Sequence, residues 1–264
     1  MNAVFQGGGI KGLAYIGAMR YLEERGLRIE NTVGTSVGAI IAALIAARFD
    51  SNELERVLNQ TDSDTLWPKK NKNKLSNTFS TIKKGYLYDM KPLEDMLGLL
   101  LASKGVRTFH DVKVGSNYKV KMIAMDVKKR KSIILPDDLK DYGLNPDSFP
   151  IAKAACMSSA LPLIYPLYKI NNEIFIDGGV ADNFPIWMFN NKVIGFRVTK
   201  EKKFLNYARN KIFSTPNLRG DNIIYIDTSD YKATDFVKGF NERYKLYNLG
   251  YYYTKKFFAD YFQK

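Results

Sequence analysis

A pair of consecutive strand, glycine-turn and helix units at the amino terminus narrows the fold of this chain more than any other feature. Ala3-Val4-Phe5-Gln6 is a short apolar run that fits a strand, Gly7-Gly8-Gly9 breaks it, and residues 13–22 carry apolar side chains at helical spacing. The order then repeats. Asn31-Thr32-Val33 is extended, Gly34-Thr35-Ser36-Val37-Gly38 is a turn, and residues 39–49 form an Ala- and Ile-rich helix that is apolar all round and therefore buried. Two such units in succession predict an α/β fold, with helices packed on a parallel sheet.

The remaining pattern fits that frame. Residues 90–103 read as an amphipathic helix and residues 118–125 as a strand, paired with residues 132–135 across the basic turn Lys128-Lys129-Arg130-Lys131. Pro150 opens a short helix over residues 151–159. A hairpin through Asn171-Asn172 delivers the chain to Asp177-Gly178-Gly179. Residues 192–198 and 222–226 complete the strands. Near the carboxyl end Phe236, Phe240, Tyr244, Tyr247, Tyr251, Phe258 and Phe262 make one helical stripe, interleaved with Lys238, Arg243, Lys245, Lys255 and Lys256. It reads as a terminal helix docked on the sheet, the alternative being a helix lying in a lipid headgroup layer. Nothing resembles a linker, so residues 1–264 are expected to form one domain, with a motif-bearing core at about residues 3–200 and a terminal strand and helix beyond it.

Composition removes several function classes. One cysteine, Cys156, excludes an intramolecular disulfide framework, and with one histidine it leaves almost nothing for a zinc or transition-metal site. No signal-peptide pattern precedes the first glycines, and the longest apolar run, residues 37–47, is far shorter than the roughly 20 residues of a membrane-spanning helix. A cytoplasmic, reducing location is the expectation. The net charge of +13 favours anionic partners, either nucleic acid or an anionic membrane surface. No acid falls between Asp64 and Asp89, whereas Lys69, Lys70, Lys72, Lys74, Lys83 and Lys84 do. That stretch reads as a surface loop, solvated or in contact with acidic headgroups.

The chemistry concentrates in three short motifs. Gly34-Thr35-Ser36-Val37-Gly38 satisfies Gly-x-Ser-x-Gly between a strand and a buried helix, the setting in which a nucleophile elbow lifts a serine Oγ onto a sharp turn. A serine hydroxyl is a weak nucleophile at its free pKa and needs a base. His110 is the lone histidine, and its neighbour Asp111 does not by itself make a triad, so His110 is expected to be structural or at the surface. A carboxylate is the other candidate. Asp177 ends an apolar strand, where α/β active sites collect, and desolvation would raise its pKa toward that of a useful base. Asp182 is a less favoured competitor.

Gly7-Gly8-Gly9-Ile10-Lys11-Gly12 also satisfies the dinucleotide pattern G-x-G-x-x-G. That reading requires an acid at the end of the second strand, where Gly34 and Thr35 stand instead. A Walker loop fails because Gly12 follows Lys11. The same glycines suit an oxyanion hole, in which unobstructed N–H groups at a helix start converge on a developing negative charge, each donor being worth about 3 kcal/mol. A tight turn that merely needs glycine is the plainer alternative. Lys11 either adds positive charge near a phosphate or points to solvent.

Taken in order, the glycine turn, the serine elbow and Asp177-Gly178-Gly179 resemble the patatin-like phospholipase family. Ser158-Ser159-Ala160-Leu161-Pro162 and Val180-Ala181-Asp182-Asn183-Phe184-Pro185 look like family surroundings of the aspartate. The resemblance implies a three-layer α/β/α fold with a mostly parallel central sheet, and a lipid acyl hydrolase, foremost of the phospholipase A type. Ser36 would be the nucleophile, Asp177 the base, and Gly7, Gly8 and Gly9 the oxyanion hole, with the Gly8 and Gly9 N–H groups foremost. Lys11, Gly12, Gly34, Gly38, Gly178 and Gly179 would support these motifs. The resemblance further implies a phospholipid or other acyl-lipid substrate and no metal requirement for the chemistry; with the excess of positive charge, peripheral contact with an anionic membrane is expected, and no cofactor and no nucleic acid. A triacylglycerol lipase or acyltransferase would share the same site; a non-catalytic membrane- or nucleotide-binding protein is the more distant alternative. One departure is Gln6, where many members carry Asp or Ser, which bears on the turn's local hydrogen bonding.

Overall fold

The computed structural model describes residues 1–68, 85–190, 193–199 and 222–262. Their strands are β1 (Asn2–Phe5), β2 (Asn31–Thr35), β3 (Lys113–Val114), β4 (Asn117–Tyr118), β5 (Val120–Asp126), β6 (Lys131–Leu135), β7 (Tyr168–Ile170), β8 (Glu173–Asp177), β9 (Val193–Arg197) and β10 (Ile223–Tyr225). Strands β10, β9, β1, β2 and β5 run parallel in that order, and β6, β7 and β8 complete the sheet antiparallel. The helices are α1 (Ala14–Glu24), α2 (Val37–Ala46), α3 (Ser51–Gln60), α4 (Ser63–Leu66), α5 (Lys91–Ser103), α6 (Ile151–Ser158), α7 (Phe236–Asn241) and α8 (Arg243–Phe262). The result is a mixed, mostly parallel α/β sheet with flanking helices.

Alternation along the strands sorts the two faces. Ala3, Phe5 and Phe196 face the large core with α1 and α2, while Val4, Val33 and Val193 face the other way, under Phe184, Ile186, Met188 and Phe189. Phe5 stacks on Phe196 at 5.1 Å and meets Tyr15 edge-on at 5.2 Å, which ties α1 to the centre of the sheet. Helix α2 is enclosed nearly all round, as its composition requires, and each of Ile41 and Leu44 contributes about 2 kcal/mol by burial.

The expected strand over residues 118–125 is divided. Lys119 separates β4 from β5 because its N–H donates to Val112 O and its carbonyl accepts from Thr32 N, which turns its backbone toward two different partners. The terminal helix is also divided, into α7 and α8, and α8 docks chiefly on α1, with a smaller contact to β10 at the sheet edge. The reason is a backbone-to-backbone crossing. A Cβ on Gly17 would stand 1.9 Å from Tyr247 O, and one on Gly250 would stand 1.7 Å from Ala14 O, so only glycine permits the approach. The buried stripe of α8 is Leu246, Gly250 and Thr254. The aromatics flank it, with Tyr251 and Phe258 against Tyr21 at 5.6 and 5.7 Å. The lysine-rich stretch from Lys69 to Lys84, Lys192, and the side chain of Phe262 lie outside the described residues.

Candidate active site

Register on β5 brings the serine and the aspartate together. Strand β6 occupies one edge of β5 over Met122 to Asp126. On the other edge β2 pairs up to Thr35 opposite Ile123, and β8 takes over from Asp177 opposite Ala124, running the other way. The two strands therefore meet end to end on a shared edge. Ser36 follows Thr35 directly, and its Oγ donates to Asp177 Oδ2 at 2.6 Å.

Ser36 sits at φ 56°, ψ −129°, a conformation that strains any residue with a Cβ by about 1–3 kcal/mol. The surroundings hold it there. Its N–H donates to Ser158 Oγ at 2.9 Å, and Ser158 Oγ donates in turn to Ile123 O at 2.6 Å. Its carbonyl accepts from Ala39 N at 2.8 Å in the first turn of α2. The flanking glycines are demanded by close packing. A Cβ on Gly34 would lie 2.1 Å from Gly38 O, and one on Gly38 would lie 2.2 Å from Phe5 O, so the elbow presses onto both β1 and its own helix.

Asp177 is 4% exposed, and burial pushes its carboxyl up to about 6 against the opposing hydrogen bonds from Ser36 and Gly179. Oδ1 accepts from Gly179 N at 2.7 Å, which leaves Oδ2 for the serine. The Asp177 N–H donates to Ala160 O at 3.0 Å, and a Cβ on Gly178 would strike Ile123 O at 2.2 Å. Above about pH 6 the ionised form predominates, with the Ser36 hydroxyl bonded to it.

The glycine turn lies beside the elbow. A Cβ on Gly7 would approach Ser36 Cβ to 3.1 Å and Asn183 Oδ1 to 2.3 Å, and Gly9, at φ 55°, abuts Ala233 O. The Gly7 N–H is engaged, donating to Asn183 O at 3.2 Å. Of the three candidate donors, Gly8 and Gly9 are the two whose N–H groups no described residue accepts. Ile10 N donates to Ala233 O, so the segment before α7 braces the turn from outside. Gly12 is set against Val37. Lys11 is partly buried, which lowers its pKa, and Asp227 opposes that shift. Gln6 anchors the turn through its backbone, its N–H donating to Phe196 O and its carbonyl accepting from Tyr15 OH at 2.7 Å.

Neither competing side chain is bonded to Ser36. Asp182 is spent on structure, accepting from Phe184 N at 3.1 Å and Trp187 Nε1 at 2.6 Å. His110 is exposed on a 3-10 turn, two residues from Val112, whose carbonyl meets Lys119 at the amino-terminal ends of β2 and β5. Ser36 lies at the carboxyl ends. The Asp111 carboxylate is held by the N–H groups of Arg107 and Thr108, both at 2.8 Å, which caps the turn. Ser158 and Asn183 carry more of the site than their sequence position alone indicates. Both stand in the runs that resemble family surroundings, which was the available signal, and their roles emerge from the contacts. Among the described residues no three His, Cys, Asp or Glu side chains gather as metal ligands, and no helix is long and apolar enough to cross a membrane.

Comparison with known proteins bears on the family and the fold. A family model described as patatin-like phospholipase matches residues 3–190. The uncharacterized protein YqhO of Bacillus subtilis is 35% identical over 95% of this chain and 95% of its own length. The probable lipid hydrolase 463L of Invertebrate iridescent virus 6 is 26% identical, across 94% of this chain and 85% of that protein. Among solved structures, VipD from Legionella pneumophila superposes with a TM-score of 0.58 at 15% identity, over 98% of this chain and 66% of VipD. ExoU from the type III secretion system of Pseudomonas aeruginosa gives 0.55 at 17% identity, over 100% of this chain and 52% of ExoU. The chain thus spans just under two thirds of one neighbour and about half of the other, and the likeness is one of fold.

Proposed function

The chain belongs to the patatin-like phospholipase family, and on that premise we propose that it is a lipid acyl hydrolase of the phospholipase A type, working through a Ser36 acyl-enzyme with Asp177 as its base. Lipid hydrolysis is the activity the family and the viral lipid hydrolase share in their names. The observation that carries the finer reading is the 2.6 Å bond between Ser36 Oγ and the buried Asp177. In the first step Asp177 Oδ2 takes the hydroxyl proton as Oγ attacks the acyl carbonyl. The carbonyl oxygen becomes negative and is met by the N–H groups of Gly8 and Gly9. As the ester C–O bond breaks, the proton on Asp177 passes to the leaving alkoxide, which departs as a lysolipid alcohol. Water then gives its proton to Asp177 and attacks the acyl-enzyme; the fatty acid leaves and the proton returns to Ser36.

A fluorophosphonate should label one residue per chain, Ser36, as read by peptide mass spectrometry. Fatty-acid release from phospholipid vesicles should exceed that from triglyceride or lysophospholipid dispersions. Labelling at any other residue removes the assignment, whereas a triglyceride preference with Ser36 labelled would make the protein a lipase with the same site.

Peripheral contact with an anionic membrane is part of the same reading, and the rim of the site supports it. Leu163, Leu167 and Val180 are 75%, 45% and 54% exposed, on the segments that follow Ala160 and Asp177. Leu163 holds φ 69°, which a bulky side chain adopts at a cost, yet it is displayed to solvent. An apolar rim of this kind suits a lipid surface. Leu163→Asp should reduce hydrolysis of anionic vesicles by about tenfold, the equivalent of one leucine's transfer free energy, and leave a soluble short-chain ester unaffected. Equal losses on both substrates would place the residue in the catalytic pocket instead.

A further inference from the structure

Asn183 touches two of the three motifs of the site, and its neighbour Asp182 touches the third. Its carbonyl accepts the Gly7 N–H at 3.2 Å, and its side-chain Nδ2 donates to Gly7 O at 3.3 Å, so the Gly7 residue is gripped at both ends. Its Oδ1 fills the space where a Cβ would stand on Gly7, at 2.3 Å, and on Gly179, at 2.9 Å. The same residue thus explains why the glycine turn and the aspartate turn each need a glycine at that point. Thr35 Oγ1 donates to the carbonyl of Asp182 next door at 2.9 Å, which fastens this segment to the end of β2, one residue before the nucleophile.

A trans peptide group points its C=O and its N–H in opposite directions. Holding Gly7 O on Asn183 Nδ2 therefore fixes the Gly7–Gly8 peptide plane and turns the Gly8 N–H away from Asn183. The following plane is fixed by other means, since Gly8 O accepts from Lys11 N at 3.3 Å. Gly8 thus depends on a side chain for its aim, whereas Gly9 depends on the backbone of its own turn.

We propose that Asn183 is the positioning residue of the oxyanion hole, its side-chain amide setting the direction of the Gly8 N–H. This rests on the Ser36 acyl-enzyme reading. Asn183 touches neither substrate nor the transferred proton; it acts through the peptide it holds. An oxyanion donor that is mis-aimed, yet still present, stabilises the transition state less and leaves ground-state binding intact.

The experiment is active-site titration of wild type and Asn183→Ala with a fluorophosphonate, followed by kinetics per titrated site on a soluble ester. The labelled fraction should stay near one per folded chain. The labelling rate constant and kcat should both fall by about ten- to a hundredfold, less than or comparable to outright loss of a donor, with KM unchanged. The acid limb of the kcat/KM profile, which reports Asp177, should stay where it is in wild type. Wild-type rates per titrated site overturn the proposal. So does a loss that tracks a displaced acid limb, which would make Asn183 a partner of Asp177. Should Asn183→Ala yield no titratable protein, Asn183→Asp keeps the shape while losing the donor and is held to the same rate criteria; absence of titratable sites in both assigns the residue to folding and also overturns it. Failure of wild type to label at Ser36 would instead defeat the acyl-enzyme reading itself.

Discussion

Ser36→Ala is expected to lower kcat/KM for ester hydrolysis by at least about 10^4-fold, with the fold intact. The size follows from what remains after the hydroxyl is gone. The turn of Gly8 and Gly9 and the lipid-binding surface would still act on a bound ester, but nothing could form the acyl-enzyme, and Asp177 would have only water to activate. The fold should survive because the contacts holding the elbow are made by the backbone and by neighbours. Ser36 N still reaches Ser158 Oγ, and Ala39 N still reaches the residue-36 carbonyl. His110→Ala is the matched control. Its turn lies at the other end of the strands, so activity should match wild type. Hydrolysis that persists in Ser36→Ala and vanishes in His110→Ala would overturn the dyad.

Much of this was legible in the chain because the decisive motifs are local. A strand, a glycine turn and an apolar helix can each be read within about ten residues, and both amino-terminal units form where their composition places them. The hairpin into Asp177 was readable for the same reason. What escaped were facts about register between distant segments. Nothing within residues 118–125 signals that Lys119 bonds to both Val112 and Thr32, so the break between β4 and β5 could not be foreseen. The docking of α8 on α1 depends on Gly17 meeting the backbone at Tyr247 and Gly250 meeting that at Ala14, each across more than two hundred residues, and neither glycine declares a partner. The roles of Ser158 and Asn183 are of this kind too, because each acts through a backbone group contributed by a distant turn. The Gly7 N–H shows the limit most plainly: as sequence, the three glycines are equivalent donors, and only the approach of Asn183 O distinguishes the first from the other two.

Asp177→Asn should abolish catalysis and at the same time stabilise the protein. The activity loss, about 10^3- to 10^4-fold, reflects an amide that cannot accept the Ser36 proton. The stability gain follows from linkage. In the folded chain the Asp177 carboxyl is raised from 3.8 to about 6 by burial, so between those values the native state binds more protons than the unfolded one. Stability contributed by this residue therefore falls as pH rises through that window, and the full penalty, about 3 kcal/mol, is present above it. Asparagine keeps the acceptor for Gly179 N and carries no charge to desolvate. Its advantage should be small near pH 4 and complete by pH 8, where thermal unfolding should shift upward by roughly 6 °C or more. Wild-type kcat/KM should lose its acid limb near the same pH at which this advantage develops, because one proton governs both. A Tm gain of equal size at pH 4 and pH 8 would show that packing, and not the buried charge, separates the two proteins. The aspartate would then lack the raised pKa that its role as base requires.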